Sequence, residues 1–209
     1  KSGVAGKTLV IFTSDNGCAH YIGTRAMEAK GHYASGPLRG YKSDAWEGGH
    51  RVPFIVRWPG VVKPGSVSGQ LVNQADLMAT FAEIFGKPLA EGTGEDSFSL
   101  LGLLKGEDKP VRENSVSCSI RGVPSVRKGP WKLLLAPGSG GWTKGGSGGP
   151  VQLYNLDEDL GETKNLASSQ PGRVKEMKAL LEELISRGRS TPGPARKNDV
   201  KVRRYGGKK

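Results

Sequence analysis

Residues 8–14, Thr8-Leu9-Val10-Ile11-Phe12-Thr13-Ser14, form an unbroken β-branched and aromatic run. A run without polar alternation suits a strand covered on both faces, as in an α/β sheet. Asp15-Asn16-Gly17 follows at once. By itself Asp-Asn-Gly is a turn sequence, because Asn and Gly tolerate positive φ. At the carboxyl end of a buried strand it gains a second meaning, since open α/β sheets bind ligands there. Carboxylate and amide oxygens suit a hard cation such as Ca²⁺ or Mg²⁺. Further on, Gly40-Tyr41-Lys42 and Trp46-Glu47-Gly48-Gly49 place a lysine beside glycines that let backbone approach a ligand closely. A hard cation with a lysine is a means of holding sulfate or phosphate.

The rest of the chain divides by pattern. Val52–Trp58 is predicted as a second strand, with Pro53 tolerated only near its start. Gln70–Val72 reads as a short strand. Asn73–Phe85 reads as a helix with Asn73 or Asp76 at its cap and Gly86 and Pro88 beyond it. Asn114–Ile120, Val123–Val126, Trp131–Ala136 and Val151–Leu156 are short strand-like runs, which predicts a small antiparallel sheet. Pro137–Pro150 is rich in Gly and Ser and reads as a mobile loop. Pro171–Arg187 is an amphipathic helix with Pro171 in its first turn and Gly188 past its end.

Composition narrows the function. The chain has 209 residues and a formal net charge of +11. Residues 188–209 hold eight of the 31 Lys and Arg but one of the 20 acids, so the body is only mildly basic. That tail, with Arg196-Lys197, Lys201, Arg203-Arg204 and Lys208-Lys209, reads as disordered. No run approaches the about 18 apolar residues of a spanning helix. Two cysteines, Cys18 and Cys118, make no disulfide framework and leave their pairing open. A buried strand so close to the first residue predicts that the chain starts partway through a domain. Gly3-Val4-Ala5-Gly6-Lys7-Thr8 echoes a phosphate-binding loop, but its glycine spacing is short and it precedes a strand.

Thr13-Ser14-Asp15-Asn16-Gly17, Arg39-Gly40-Tyr41-Lys42, Glu47-Gly48-Gly49, Arg51-Val52-Pro53-Phe54 and Arg57-Trp58-Pro59-Gly60 together resemble the arylsulfatase family, in the alkaline-phosphatase-like superfamily. Asp76–Thr80, Lys128–Leu133, Leu153–Leu156 and Gly161–Leu166 continue the resemblance in the family's order. It implies an α/β fold in which residues 1–112 are the later part of the catalytic sheet domain. Residues 113–187 would then be a small antiparallel sheet packed with a helix, and 188–209 the basic tail.

The resemblance also implies Ca²⁺-dependent hydrolysis of sulfate esters, with Mg²⁺ as the alternative ion. Asp15 and Asn16 would be metal ligands and Lys42 would bind the sulfate. His32, in the loop that would face substrate, is a further candidate contact. Glu47-Gly48-Gly49 would be architectural. The family's nucleophile is a formylglycine made within Cys/Ser-x-Pro-x-Arg, and no such motif occurs here. Gly122-Val123-Pro124-Ser125-Val126-Arg127 echoes it with Gly where the nucleophile belongs. The formylglycine is therefore expected upstream, no residue of this chain is assigned as nucleophile, and the isolated chain is expected to be inactive. The implied partner is a sulfate ester, including sulfated carbohydrate, with no specific nucleic acid and no membrane span. The implied location is periplasmic or secreted, and oligomeric state is undetermined. Two other functions fit the same residues: phosphate or phosphonate ester hydrolysis, and non-catalytic polyanion binding through the basic tail.

Overall fold

The computed structural model describes residues 2–146 and 149–205. The chain forms two compact units. The first comprises residues 1–13, 53–115 and 184–198, and the second residues 14–52, 116–183 and 199–209.

In the first unit, β1 (Val10–Thr13) pairs antiparallel with β2 (Phe54–Arg57), placing Phe12 opposite Ile55. The apolar run was expected to be covered on both faces. Instead Val10, Phe12 and Ile55 are 46%, 63% and 61% exposed. A two-stranded ribbon can bury only one face, and the pleat sends alternate side chains to the other. Residues 70–72 form no strand. Helix α3 (Asp76–Ile84) begins where the Asp76 N–H donates to the Asn73 carbonyl at 2.9 Å. The Asp76 carboxylate accepts the Asn73 N–H at 2.7 Å, and Asn73 Oδ1 accepts the Ala75 N–H at 3.0 Å. Asp76 is also gripped by the buried Arg112 guanidinium through both Nε and Nη2, and by the Phe98 N–H at 3.0 Å. A one-turn helix, α4 (Leu101–Leu104), follows.

The second unit holds two short helices, α1 (Thr24–Glu28) and α2 (Glu47–His50). Its sheet runs in the order β3-β4-β5-β6, formed by Asn114–Cys118, Pro124–Lys128, Trp131–Leu134 and Gln152–Asn155. Helix α5 (Pro171–Arg187) covers it, with Met177 and Leu181 buried. Arg173 stacks 5.1 Å from the Trp131 ring centroid. The core joins this sheet to the segment before α2: Ala45 and Trp46 pack with Val123, Leu134, Ala136, Tyr154 and Leu156.

Two compositional readings change. The Gly/Ser-rich loop is held in place over 138–146, where the Ser139 carbonyl accepts the Ala45 N–H at 2.8 Å and Gly138 bridges Gly146. The basic tail also makes specific contacts. Ser190 N–H donates to Asp96 at 2.8 Å, Thr191 Oγ1 donates to the Glu95 carbonyl at 2.7 Å, and Arg204 pairs with Glu182 at 2.8 Å. These bonds tie residues 190, 191 and 204 to acceptors distant in sequence. Lys208 and Lys209 lie outside the described residues. Cys18 and Cys118 are free thiols, and no helix among the described residues is long and apolar enough to cross a membrane.

Candidate functional site

Residues 14–18 and 39–50 fold onto one another within the second unit. Gly17 donates its N–H to the Gly49 carbonyl at 2.9 Å, and Lys42 donates its N–H to the Cys18 carbonyl at 2.9 Å. These bonds bring the Asp15-Asn16 turn and the Lys42 turn together. The approach needs glycine: a Cβ on Gly17 would sit 1.7 Å from the Gly48 carbonyl oxygen. Asp15 is exposed and Asn16 half-buried, and the Asn16 amide donates to Asp15 Oδ1. Lys42 is half-buried. His32 is exposed in the turn after α1, its N–H donating to the Met27 carbonyl at 3.0 Å.

Ser43 follows Lys42 with φ of 89°, a left-handed conformation unusual for a residue with a side chain. It is held there by its neighbours. Its carbonyl accepts the Ile120 N–H at 2.9 Å and its hydroxyl accepts the Trp142 N–H at 3.0 Å. Asp44, 2% exposed, accepts from the Tyr41, Trp142 and Thr143 backbone N–H groups. Such constrained backbone concentrates at functional sites.

Beneath these turns lies a buried ionic cluster that sequence inspection does not assemble. Lys132 of β5, 1% exposed, sets its ammonium 2.8 Å from Glu47 and 2.9 Å from Glu162. The first contact is an aligned hydrogen bond. The second is a charge contact off the hydrogen-bonding direction, since Glu162 Oε1 has no aligned donor. Glu162 Oε2 accepts the Glu47 N–H at 2.6 Å, and the Glu162 carbonyl accepts from Arg39 at 2.7 Å. Glu162 itself has a φ of 51°, in the left-handed region. The Arg39 guanidinium in turn lies 3.7 Å from the Trp46 ring centroid.

Burial alone would raise the Glu47 pKa. Lys132 outweighs it, with help from His50 and Arg127, and holds the carboxyl down to about 2. Burial, reinforced by the Lys132 charge, pushes His50 down to about 4 against the pull of Glu47. Burial raises Glu162, opposed by Lys132 and the Glu47 N–H. The cluster therefore sets one ammonium between two carboxyl groups beside a neutral imidazole.

Among the described residues no group of three or more His, Cys, Asp and Glu could hold a metal. Asp15 and Asn16 offer adjacent hard oxygens, the right chemistry for part of a Ca²⁺ shell of six to eight oxygens. No residue fits a formylglycine, for the Cys/Ser-x-Pro-x-Arg motif is absent and the Pro124 echo carries Gly122. A cavity of about 860 Å³ in the first unit is walled by apolar side chains such as Phe54, Trp58 and Leu103, with Arg57 and Lys63. Its described lining holds no carboxylate, histidine or cysteine.

Fold and turns together define a mixed α/β segment whose Asp15-Asn16 and Lys42 turns meet on loops. Residues 1–87 match the family described as Sulfatase. The chain is 39% identical over 188 residues to an N-acetylgalactosamine-6-O-sulfatase of Bacteroides thetaiotaomicron, covering 86% of this chain and 37% of that relative. Human arylsulfatase A is 34% identical over 205 residues, with 87% and 38% covered. A solved Bacteroides thetaiotaomicron chain from a glycosaminoglycan-metabolism locus superposes with a TM-score of 0.75 at 34% identity, covering 86% of this chain and 39% of that one. The chain belongs to the sulfatase family, in its alkaline-phosphatase-like fold, and corresponds to the family's C-terminal region. It spans 37% and 38% of the length of the two curated relatives.

Proposed function

We propose that this chain supplies the downstream half of a sulfate ester hydrolase site. Asp15 and Asn16 act as two oxygen ligands of Ca²⁺, with Mg²⁺ as the alternative, and Lys42 binds the sulfate. The pairing of the two turns by the Gly17–Gly49 and Lys42–Cys18 hydrogen bonds carries this reading. The bound cation would supply charge to the sulfuryl oxygens. Lys42 adds a second positive charge, at the end of a flexible chain whose backbone is fixed on both sides. Removing one such electrostatic partner typically slows a reaction by about 10²–10³.

The Asn16 amide bond to Asp15 Oδ1 fits the metal assignment. Rotating that amide by half a turn would set two oxygens against each other, an arrangement a cation stabilises. His32, exposed beyond α1, remains the candidate contact for the remote part of the substrate. The substrate class is a sulfated carbohydrate, as the name of the N-acetylgalactosamine-6-O-sulfatase relative suggests. Residues 1–112 serve as the later part of the catalytic sheet domain, residues 113–187 as its C-terminal subdomain, and a periplasmic or secreted location goes with that assignment. Because no residue here fits a formylglycine, the chain by itself does not turn over sulfate esters.

Terbium luminescence, with Tb³⁺ standing in for Ca²⁺, tests the metal assignment. Weak saturable binding is expected from a partial ligand set, lost in Asp15→Ala and reduced in Asn16→Ala. Unchanged Tb³⁺ binding in both variants would refute it. In the same samples sulfate and phosphate compete for Lys42: preference for phosphate would favour a phosphate ester hydrolase. Heparin retention that disappears only on deleting residues 188–209 would favour polyanion binding.

A further inference from the structure

Four aromatic rings gather beside Lys42. His20 lies at the centre, its ring 5.6 Å from Tyr21, 6.2 Å from Tyr41 and 5.9 Å from Trp142. Tyr21 and Trp142 meet directly at 6.2 Å with their planes tilted by 57°. Despite these contacts the two outer rings stay open to solvent, Tyr21 at 62% and Trp142 at 41% exposed. His20 Nδ1 is buried without a hydrogen-bond partner among the described residues. Ring packing rather than hydrogen bonding at that atom therefore holds the imidazole.

Location gives the cluster its meaning. Tyr41 and Ser43 flank Lys42 in the chain. Tyr41 touches His20, and Ser43 accepts the Trp142 N–H at 3.0 Å. The loop bearing Trp142 is fixed against this turn by Asp44, which takes the Trp142 and Thr143 N–H groups at 3.2 Å each and the Thr143 hydroxyl. It is also fixed by close approach: a Cβ on Gly141 would lie 2.3 Å from the Ser43 carbonyl oxygen. Two solvent-facing rings are thus anchored to the residues on either side of the candidate sulfate lysine.

We propose that Tyr21 and Trp142 form a wall that binds the sugar ring of a sulfated saccharide whose sulfate is held by Lys42. This rests on the preceding assignment of Lys42 and extends it to two residues that select the alcohol part of the substrate. A pyranose carries an apolar face of C–H groups, and aromatic rings with a polar tip offer the complementary surface. Two rings set at an angle give a cleft of fixed shape at little conformational cost, since each side chain has only two rotatable bonds. His20 and Tyr41 hold the wall in place from behind. A simple aryl sulfate would gain less from this surface than a sugar.

Saturation-transfer NMR on the full chain tests the proposal, with N-acetylgalactosamine 6-sulfate, unsulfated N-acetylgalactosamine and sodium sulfate as probes. The wild-type chain should transfer saturation to ring protons of both sugars. Trp142→Ala and Tyr21→Ala should each weaken sugar binding by about three- to tenfold, leave affinity for the sulfate ion unchanged, and be partly rescued by Trp142→Tyr. Lys42→Ala should show the converse: sulfate binding lost, the unsulfated sugar retained. Equal sugar affinity in wild type and both aromatic variants, or no transfer to sugar protons in the wild type, would overturn the wall. Sulfate binding that survives Lys42→Ala would overturn the Lys42 assignment instead, while the Trp142→Ala comparison still decides the wall.

Discussion

Replacing Lys132 with methionine keeps the unbranched apolar stem but removes the ammonium facing Glu47 and Glu162. Lys132 is 1% exposed, and the two carboxylates are 3% and 0% exposed, so water does not screen the loss. Breaking a buried pair by removing one partner typically costs about 3–5 kcal/mol. The Glu47 pKa supports that scale. Lowered from 4.5 to about 2, it corresponds to about 3 kcal/mol at neutral pH. For a chain of this size the melting temperature should fall by about 6–20 °C.

The pH dependence follows from the sign of the Glu47 shift. A carboxyl whose folded pKa is depressed contributes stability above its unfolded pKa, and loses it as pH falls toward about 2. The gap between wild type and Lys132→Met should therefore be widest near neutrality and close in acid. Glu162, raised by burial, works the other way. Adding Glu162→Gln to Lys132→Met should recover part of the loss. Thermal unfolding followed by circular dichroism between about pH 7 and pH 3 measures all three proteins. A change under about 2 °C at neutral pH, or a gap that does not vary with pH, would refute the reasoning.

Three further outcomes are expected. His50, pushed down to about 4, should make the wild type lose stability as pH falls from about 6.5 to about 4, because the unfolded chain protonates first. The ceiling is about 3 kcal/mol, reduced because the His50 side chain is 26% exposed, and His50→Gln should flatten this slope in a pH series of melting curves. Arg112→Met should leave the Asp76 carboxylate buried without its cation and lower stability by about 3–5 kcal/mol, measured by urea unfolding. Asp44→Ala should release the 138–146 loop and speed proteolytic cleavage there, with cleavage elsewhere unchanged, as mapped by mass spectrometry of early fragments.

Local signals that fix backbone were legible. Pro171 and Gly188 bracket α5, and the short β-rich runs after residue 113 resolve into the four strands of one sheet. The Asp15-Asn16-Gly17 and Lys42 turns were also visible, since charged residues among glycines mark close backbone approach. Some features had no local signature. Lys132, Glu47 and Glu162 stand 85 and 115 positions apart in pairs, and nothing near Lys132 distinguishes it from the other cations of this basic chain. Trp142 sits in a stretch whose composition suggested mobility, yet Asp44, 98 residues away, holds it still.

The sequence by itself determined the family, the strands of the later sheet and the two longer helices, though not a strand at 70–72 or the short helices α1, α2 and α4. Those depend on residue type and short spacing, which act along the chain. Tertiary structure alone decided that β1 pairs antiparallel with β2, that one lysine faces two buried carboxyl groups, and that Tyr21 and Trp142 meet beside Lys42. Burial and charge pairing depend on which distant segments displace water from one another, and that is set only when the whole chain has closed.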